Sequence, residues 1–235
     1  MDLNHNIELD STKVFRDLQD KFENNLRFSL LENLEKLSQV ELKARAFAIL
    51  GQILRESPNL SRSHKEITAI FDELFTDVVI SIYLAGCSLD KPAQTLLRRV
   101  LELGIAVIYL WNMPHHFWGW KCHDKDLNFN EMVECLNSAS YKSFVASENT
   151  NFSDNSLFDI NEAKKIYRNL SNTIHGKIST FESVLPERFT YNKPDWEEHL
   201  ELVIRVQNLL LQLWKHRFND VFQELEKRMP SIARI

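Results

Sequence analysis

The chain has 235 residues, and its 28 basic and 33 acidic side chains give a formal charge of −5, so binding of nucleic acid requires a local basic patch. Only 5 glycines and 6 prolines occur, less than half of average usage, and this scarcity argues against turn-rich β-sandwiches. No GxGxxG or GxxxxGK[ST] motif is present, so the sequence gives no support for a nucleotide-binding α/β fold.

The apolar residues near the start of the chain repeat with a helical period. Between residues 15 and 37 an apolar side chain returns every third or fourth position, and the stripe resumes further on and ends before Pro58. Ser11 or Thr12 fits the N-cap of such a helix. We expect either one long amphipathic helix or two helices with a break near Ser38–Val40.

Four further helices are predicted to form the core of the protein, over about 63–86, 91–113, 159–176 and 195–228. Three of them begin with the spacing of a capping box, in which a glutamate follows the cap by three residues: Ser63 with Glu66, Asp159 with Glu162, and Asp195 with Glu198. Gly86 is expected to supply a left-handed residue at a helix end. Gly104, inside a predicted helix, is expected to mark a close helix crossing.

No alternating strand pattern, fixed repeat or shift in composition interrupts the helical pattern. The predicted fold class is therefore all-α: a four-helix bundle with additional N-terminal helices. We divide the chain into an N-terminal amphipathic helical extension, residues 1–60, and a helical bundle, residues 61–235. The connections are predicted to be an aromatic-rich segment over 115–127, a short helix within 128–144, and polar loops over 146–158 and 177–194.

The sequence predicts a cytoplasmic protein without a membrane span. The apolar stretches Val78–Cys87 and Gly104–Trp111 fall well short of the ~20 residues of a spanning helix. Residues Met1–Asn4 lack the basic and apolar character of a signal peptide. The cysteines are too few and too scattered for a disulfide framework, which fits a reducing compartment: Cys87, Cys122 and Cys135.

One predicted helix carries a pair of side chains of the types that act in catalysis. Arg168 and His175 are seven residues apart, a rotation of about 700°, so both lie on one face about 10 Å apart along the axis. Ile166, Leu170 and Ile174 point roughly the other way, which puts the pair on the polar face. A histidine that takes and returns a proton, beside an arginine that binds phosphate, is a minimal set of groups for cleaving RNA without a metal.

The residues around this pair resemble a signature of the HEPN superfamily. The order Arg168, Asn169, five residues and His175 is similar to its R-x4–6-H motif, at the long end of the spacing. In that superfamily the arginine is often followed by a polar residue, and the motif lies on a late helix of a small α-bundle. Leu170-Ser171 and His175-Gly176 are also similar to the LS…HG ending of HEPN-like proteins in bacterial phage-defence and toxin systems.

The resemblance covers roughly residues 63–228 and implies a specific function. It implies a homodimer with a composite cleft, in which each copy contributes one Arg/His pair that acts on an RNA phosphodiester. Arg168, Asn169 and His175 are then the catalytic candidates, and Glu102 matches the acidic residue that many members carry on an earlier helix. The implied activity is a metal-independent endoribonuclease without a cofactor, acting as a toxin or effector in antiviral defence.

Two other interpretations remain open at the level of sequence. An arginine on a polar helix face is often only solvated, and a histidine before a C-terminal glycine often caps the last carbonyls. The chain is alternatively a non-catalytic helical interaction subunit of a bacterial defence complex, which binds a larger protein. The amphipathic first 60 residues, which lie outside the resemblance, motivate this second function.

Two further clusters contain residues of the right chemical type for a site. Zinc-ligand types occur together, but without the CxxC or HxxxH spacing of the usual zinc sites, so no metal is expected: His115, His116, Cys122, His123, Asp124 and Cys135. We expect Phe117, Trp118 and Trp120 instead to cover one end of the bundle. Arg98 and Glu102 have the spacing of an ordinary surface ion pair on a helix.

Overall fold

A computed structural model describes residues 13–152, 156–175 and 189–234. These residues form α-helices joined by short connections, and they contain no β-strand, which confirms the predicted all-α class. The helices are α1 (Lys13–Leu31), α2 (Leu34–Arg55), α3 (Arg62–Ile67), α4 (Ala69–Gly86), α5 (Asp90–Asn112), α6 (Pro114–Lys121), α7 (Phe129–Asn137), α8 (Ala139–Glu148), α9 (Ile160–Ile174), α10 (Lys193–Arg217) and α11 (Asn219–Arg228), followed by a 3-10 helix (Pro230–Arg234).

The core is organised around one tryptophan of α10 that contacts three other helices. Trp214 of α10 is fully buried, and its ring meets the rings of Phe47 on α2 and Phe71 on α4 edge-on, at centroid distances of 4.7 and 4.9 Å. Its indole Nε1 donates a hydrogen bond of 2.9 Å to the Gly104 carbonyl of α5. Helix α2, which belongs to the predicted extension, therefore shares the core of the predicted bundle. The division of the chain near residue 60 stays a prediction.

Helices α1 and α2 are separate, but the predicted position of the break was wrong. The break lies at Asn33, whose φ of 57° is left-handed, a conformation that asparagine tolerates better than most residues. The side-chain amide of Asn33 also donates to the Glu197 carboxylate at 3.2 Å, and this bond holds the bend against α10. Ser38–Val40 lie inside α2. The cap candidates Ser11 and Thr12 lie outside the described residues.

Of the three predicted capping boxes, the cap at Asp159 is confirmed and the other two are wrong. The Glu162 amide donates to the Asp159 carboxylate at 2.9 Å, so Asp159 caps α9. The predicted helix from residue 63 is two helices, and Ser61, not Ser63, caps the first by accepting from the His64 amide at 3.2 Å. Helix α10 begins at Lys193, two residues before the predicted cap at Asp195.

The glycine predictions were wrong at one helix end and correct at the helix crossing. Gly86 is the last residue of α4, and the left-handed residue is Ser88, with a φ of 61°. A Cβ at position 86 would lie 2.9 Å from a methyl carbon of Leu26 on α1, so a larger residue there requires that side chain to shift. Gly104 marks the expected close crossing of α5 with α10, since a Cβ would collide with the methyl carbons of Leu210.

The connections are more helical than the sequence predicted. The aromatic-rich segment over 115–127 includes most of α6, whose first residue is Pro114. The predicted last helix divides at Phe218 into α10 and α11. Part of the predicted polar loop over 146–158 is helical, and its Leu157 and Phe158 are buried. No helix in the described part of the chain has the length and apolar character needed to cross a bilayer.

Candidate functional site

Helix α9 carries the predicted Arg/His pair and is held against the bundle by its apolar side. Ala163, Ile166 and Leu170 are buried, at the three- and four-residue spacing of one helix face. Ile174, predicted to be buried with them, is 40% exposed because it is the last residue of the helix. The Asp159 cap fixes the start of α9, so the direction of its polar face is well defined.

The opposite side of α9 is basic, and we call it the α9 basic face: Lys164, Lys165, Arg168, Asn169 and His175. All are exposed except Lys164, which is half-buried. The only acidic residue within the helix, Glu162, binds Arg205 of α10 through a hydrogen bond of 2.6 Å. Among the described residues, no carboxylate forms a salt bridge with this face. It is the kind of local basic patch that an acidic protein needs to bind a polyanion.

Arg168, in the middle of α9, and His175, at its C-terminal end, are both exposed. Their spacing places their backbone positions about 10 Å apart along the helix axis. His175 is the C-cap residue, and its backbone amide donates to the Ser171 carbonyl at 3.0 Å. Its imidazole makes no hydrogen bond to any residue in the described ranges, so it does not cap the last carbonyls. Both groups are therefore free to contact a ligand.

Glu102 is placed on the neighbouring helix α5 but does not join the pair. It accepts a hydrogen bond of 3.1 Å from Arg98, which confirms the predicted ion pair one turn apart. Within the described residues, no hydrogen bond or salt bridge joins Glu102 to Arg168 or His175. The structure thus brings Arg168, Asn169 and His175 onto one face, while Glu102 pairs with Arg98, which makes a contact between α5 and α9 through Tyr167.

That contact contains an aromatic stack that sequence reasoning missed. Arg98 donates to the Tyr167 hydroxyl at 2.8 Å and lies 4.8 Å above its ring. The other side of the Tyr167 ring stacks on Phe129 of α7, with centroids 3.9 Å apart and planes nearly parallel. Because Tyr167 precedes Arg168 in the chain, this stack fixes the rotation of α9 and points Arg168 outward. The sequence held one signal of it, the Arg98–Glu102 spacing.

A second contact anchors the end of α9 near the histidine. Thr173 donates from its hydroxyl to the Gln94 side chain of α5 at 2.6 Å. Two side-chain contacts to α5, at Tyr167 and Thr173, therefore hold the two turns that carry Arg168 and His175. A rigid support of this kind is what a catalytic group needs to keep its geometry.

A buried serine and histidine lie elsewhere and have no catalytic arrangement. The Ser81 hydroxyl of α4 donates to the Ala93 carbonyl at 2.9 Å and lies 3.1 Å from Nε2 of His199 on α10. Since the hydroxyl proton is already used, His199 donates to Ser81 instead of accepting its proton. Burial also lowers the pKa of His199 to about 4, so the imidazole is neutral at pH 7. This pair ties α4, α5 and α10 together.

The cluster of histidines and cysteines around α6 has no metal geometry. In the described ranges, no group of three or more His, Cys, Asp or Glu side chains is placed to hold a metal ion. Phe117 is buried under α6, as expected of an end cover, while Trp118 remains 40% exposed. The ammonium group of Lys121 lies 5.0 Å above the Trp118 ring.

Comparisons of the chain with protein-family models, with curated proteins and with solved structures found no match. The geometry of α9 itself supplies an exposed imidazole, an exposed guanidinium and a surrounding basic surface.

Proposed function

We propose that the chain is a metal-independent endoribonuclease of the HEPN type. The α9 basic face is the observation that carries the proposal, because it is an accessible cationic surface on a protein whose net charge is −5. Lys164 and Lys165 would bind phosphates along an RNA strand, and Asn169 would contact the strand beside them. The same face presents Arg168 and His175 to the scissile group.

The proposed chemistry uses the side chains of His175 and Arg168. The His175 imidazole would accept the proton of the ribose 2′-hydroxyl or donate one to the leaving oxygen. The Arg168 guanidinium would bind the phosphoryl oxygens and stabilise the charge that grows on them in the transition state. Glu102 would act as a positioning residue, since it orients Arg98, and Arg98 holds Tyr167 next to Arg168.

Cleavage by proton transfer uses both an acid and a base, whereas one copy offers a single histidine at this place. A homodimer that brings two α9 basic faces together supplies the second imidazole, which is the arrangement that the HEPN resemblance implies. The same resemblance supports a cytoplasmic toxin or effector of antiviral defence as the biological role. No metal or cofactor takes part in the proposed reaction.

An RNA cleavage assay in the presence of EDTA tests this function. We expect the parent protein to cut end-labelled RNA, and His175→Ala or Arg168→Ala to lower the rate by about 100-fold or more, because each removes one of the groups that act on the phosphodiester. His115→Ala, which changes another exposed histidine away from α9, is the matched control and should leave the rate unchanged. Equal cleavage by parent and His175→Ala would contradict the proposal.

A non-catalytic helical subunit of a defence complex is the second candidate function. The observation in its favour is exposed apolar surface on α1 and α4, at Phe28 and Tyr83, of which 56% and 55% are accessible. Large exposed aromatic side chains are typical of protein interfaces. If the purified protein binds RNA without cleaving it and His175→Ala behaves as the parent does in cells, this function replaces the first.

A further inference from the structure

A polar cleft lies between the start of α9, the second half of α10 and the end of α7. Its volume is about 510 Å³, which is the size of a small-molecule site. Three of its lining residues carry side-chain amides: Asn137 of α7, Asn161 of α9 and Gln212 of α10. All three are exposed, and within the described ranges none of these amides makes a hydrogen bond. The cleft therefore offers uncharged donors and acceptors to a ligand.

The lining also contains oxygens that can only accept hydrogen bonds. Asp159 uses one carboxylate oxygen, Oδ1, to accept the Glu162 amide as the cap of α9. Its other oxygen accepts no hydrogen bond from any part of the chain that the structure describes, and the residue is exposed. The Ser156 hydroxyl donates to the Phe158 carbonyl at 2.6 Å, so its own oxygen is left as an acceptor. A ligand that pairs with these oxygens must donate hydrogen bonds.

Apolar surface lies beside these polar groups. Phe158 and Ile160 both line the cleft, and Ile160 is only half-buried. A planar ring with polar edges matches a lining that combines apolar surface, amides and a carboxylate. Nucleobases have this form, since their faces pack on side chains while their edges donate and accept hydrogen bonds.

The cleft is adjacent to the α9 basic face. Asn161 precedes Lys164 by three residues and Lys165 by four, and residues at these separations are neighbours on a helix surface. Arg168 follows Asn161 by seven residues, so the two lie almost on one line along α9, about 10 Å apart. A strand whose phosphates bind Lys164 and Lys165 therefore passes beside the cleft, and its bases lie within reach of the lining amides.

We propose that the cleft binds one base of an RNA strand and selects against uracil. The proposal rests on the proposed function, because it takes an RNA strand on the α9 basic face as its starting point. Of the four RNA bases, only uracil lacks an exocyclic amino group. In the other three this group donates to the second oxygen of Asp159, while a side-chain amide, which both donates and accepts, pairs with the neighbouring ring nitrogen. Uracil instead turns a carbonyl oxygen toward the carboxylate, with no proton between them.

Binding of RNA that cannot be cut tests the proposal on the full chain. Oligomers of 2′-O-methyl adenylate and 2′-O-methyl uridylate lack the free 2′-hydroxyl that the proposed reaction uses. We expect the adenylate oligomer to bind about 10-fold more tightly than the uridylate oligomer in fluorescence anisotropy titrations at one salt concentration, which is the order of magnitude of one matched base. Equal affinity for the two oligomers would overturn the proposal.

Removing the amides should reduce this preference. Asn161→Ala and Gln212→Ala change exposed positions, so both variants should keep the fold. Each should weaken binding of the adenylate oligomer by about 5-fold and leave the uridylate oligomer unaffected, because only the amino-bearing base pairs in the cleft. Asn130→Ala, which removes an exposed asparagine outside the cleft, is the matched control and should change neither affinity. Affinities that are the same in all three variants as in the parent would contradict a base in this cleft.

Asp159→Asn separates base recognition from a structural role. Asparagine keeps an oxygen for the Glu162 amide, so the cap of α9 remains, but an NH₂ donor replaces the second oxygen. We expect the preference to shift from the adenylate oligomer toward the uridylate oligomer, because the new donor pairs with the uracil carbonyl. If the substitution weakens both oligomers equally, Asp159 acts only through the structure of α9 and the proposal fails.

The failure of this proposal can be told apart from the failure of the ribonuclease function. A parent that cuts RNA in EDTA but binds both oligomers equally overturns base selection and leaves the ribonuclease standing. A parent that prefers the adenylate oligomer but cuts no RNA supports the cleft and overturns the ribonuclease. A parent that binds neither oligomer overturns both, because each needs an RNA strand on the α9 basic face.

Discussion

Two histidines of this protein lie in opposite environments, and the difference shows what makes a candidate site. His199 lies in the buried junction of α4, α5 and α10, with a serine hydroxyl 3.1 Å away. His175 lies at the exposed end of α9, two turns from Arg168 on the same face and without a hydrogen-bond partner for its imidazole among the described residues. Ser81 and His199 lie within hydrogen-bond distance of each other, but both are buried and the Ser81 hydroxyl already donates its proton to the Ala93 carbonyl. The exposed pair has access and the positive charge that a phosphate ligand requires.

The largest expected effect is the dependence of folding stability on pH that the buried His199 causes. His199 has a pKa of about 4 in the folded protein and 6.5 when exposed in the unfolded chain. Its contribution to stability is therefore complete above pH 6.5 and is lost as the pH falls toward 4, because only the unfolded chain takes up the proton in this range. The loss amounts to about 3 kcal/mol of the unfolding free energy.

Denaturant unfolding at several pH values measures this contribution. His199→Gln keeps a side-chain donor for Ser81 but cannot titrate, so the difference between parent and variant isolates His199 from other titrating groups. We expect the variant to lose about 3 kcal/mol less than the parent between pH 6.5 and 4. If the unfolding free energies of the two proteins change in parallel with pH, burial does not lower the pKa of His199.

The next effect tests the tight crossing beside the buried junction. Gly104→Ala places a methyl group against Leu210, and we expect a cost of about 1–3 kcal/mol in thermal or denaturant unfolding. Gly119→Ala in α6 is the matched control, since its new Cβ would lie 3.8 Å from its nearest neighbour, and it should be neutral or slightly stabilising. In a Leu210→Ala background, Gly104→Ala should cost less than it does in the parent, because the methyl carbons it would meet are gone. Equal stability of both alanine variants would contradict the close crossing.

The smallest effect concerns the helix that carries the exposed pair. Asp159→Ala removes the side-chain acceptor for the Glu162 amide and should cost about 1 kcal/mol of the unfolding free energy. Asp195→Ala changes the same residue type in a similar sequence pattern, but Asp195 caps nothing and its loss should cost less than about 0.5 kcal/mol. A larger cost at Asp195 than at Asp159 would reverse the assignment of the two helix starts.

Much of the local structure followed from patterns within a few turns of chain. The spacing of Ile166 and Leu170 identified the buried side of α9 and so placed Arg168 on its polar side. Gly104 indicated a close crossing because glycine is costly inside a helix unless a neighbour needs the space. These features were predictable since helical periodicity and steric cost are properties of the local sequence.

Other features depended on residues far apart in the chain. Asn33 breaks the first helical stretch where it also bonds Glu197, and Tyr167 is oriented by Arg98 and Phe129. Identical capping patterns at Asp159 and Asp195 behave differently because the second falls inside a helix that starts earlier. Glu102 illustrates the same limit, since its helical partner Arg98 was predictable while its lack of contact with His175 was not.

The sequence by itself determined that the chain is helical and that α9 turns a basic, histidine-ended side away from its apolar stripe, because the period of hydrophobic residues encodes both. Only the tertiary structure decided which polar groups stay accessible. It sealed Ser81 and His199 between three helices and left Arg168 and His175 exposed. The solvent accessibility of a polar side chain depends on how helices that are distant in sequence pack together, and no local sequence pattern specifies that packing.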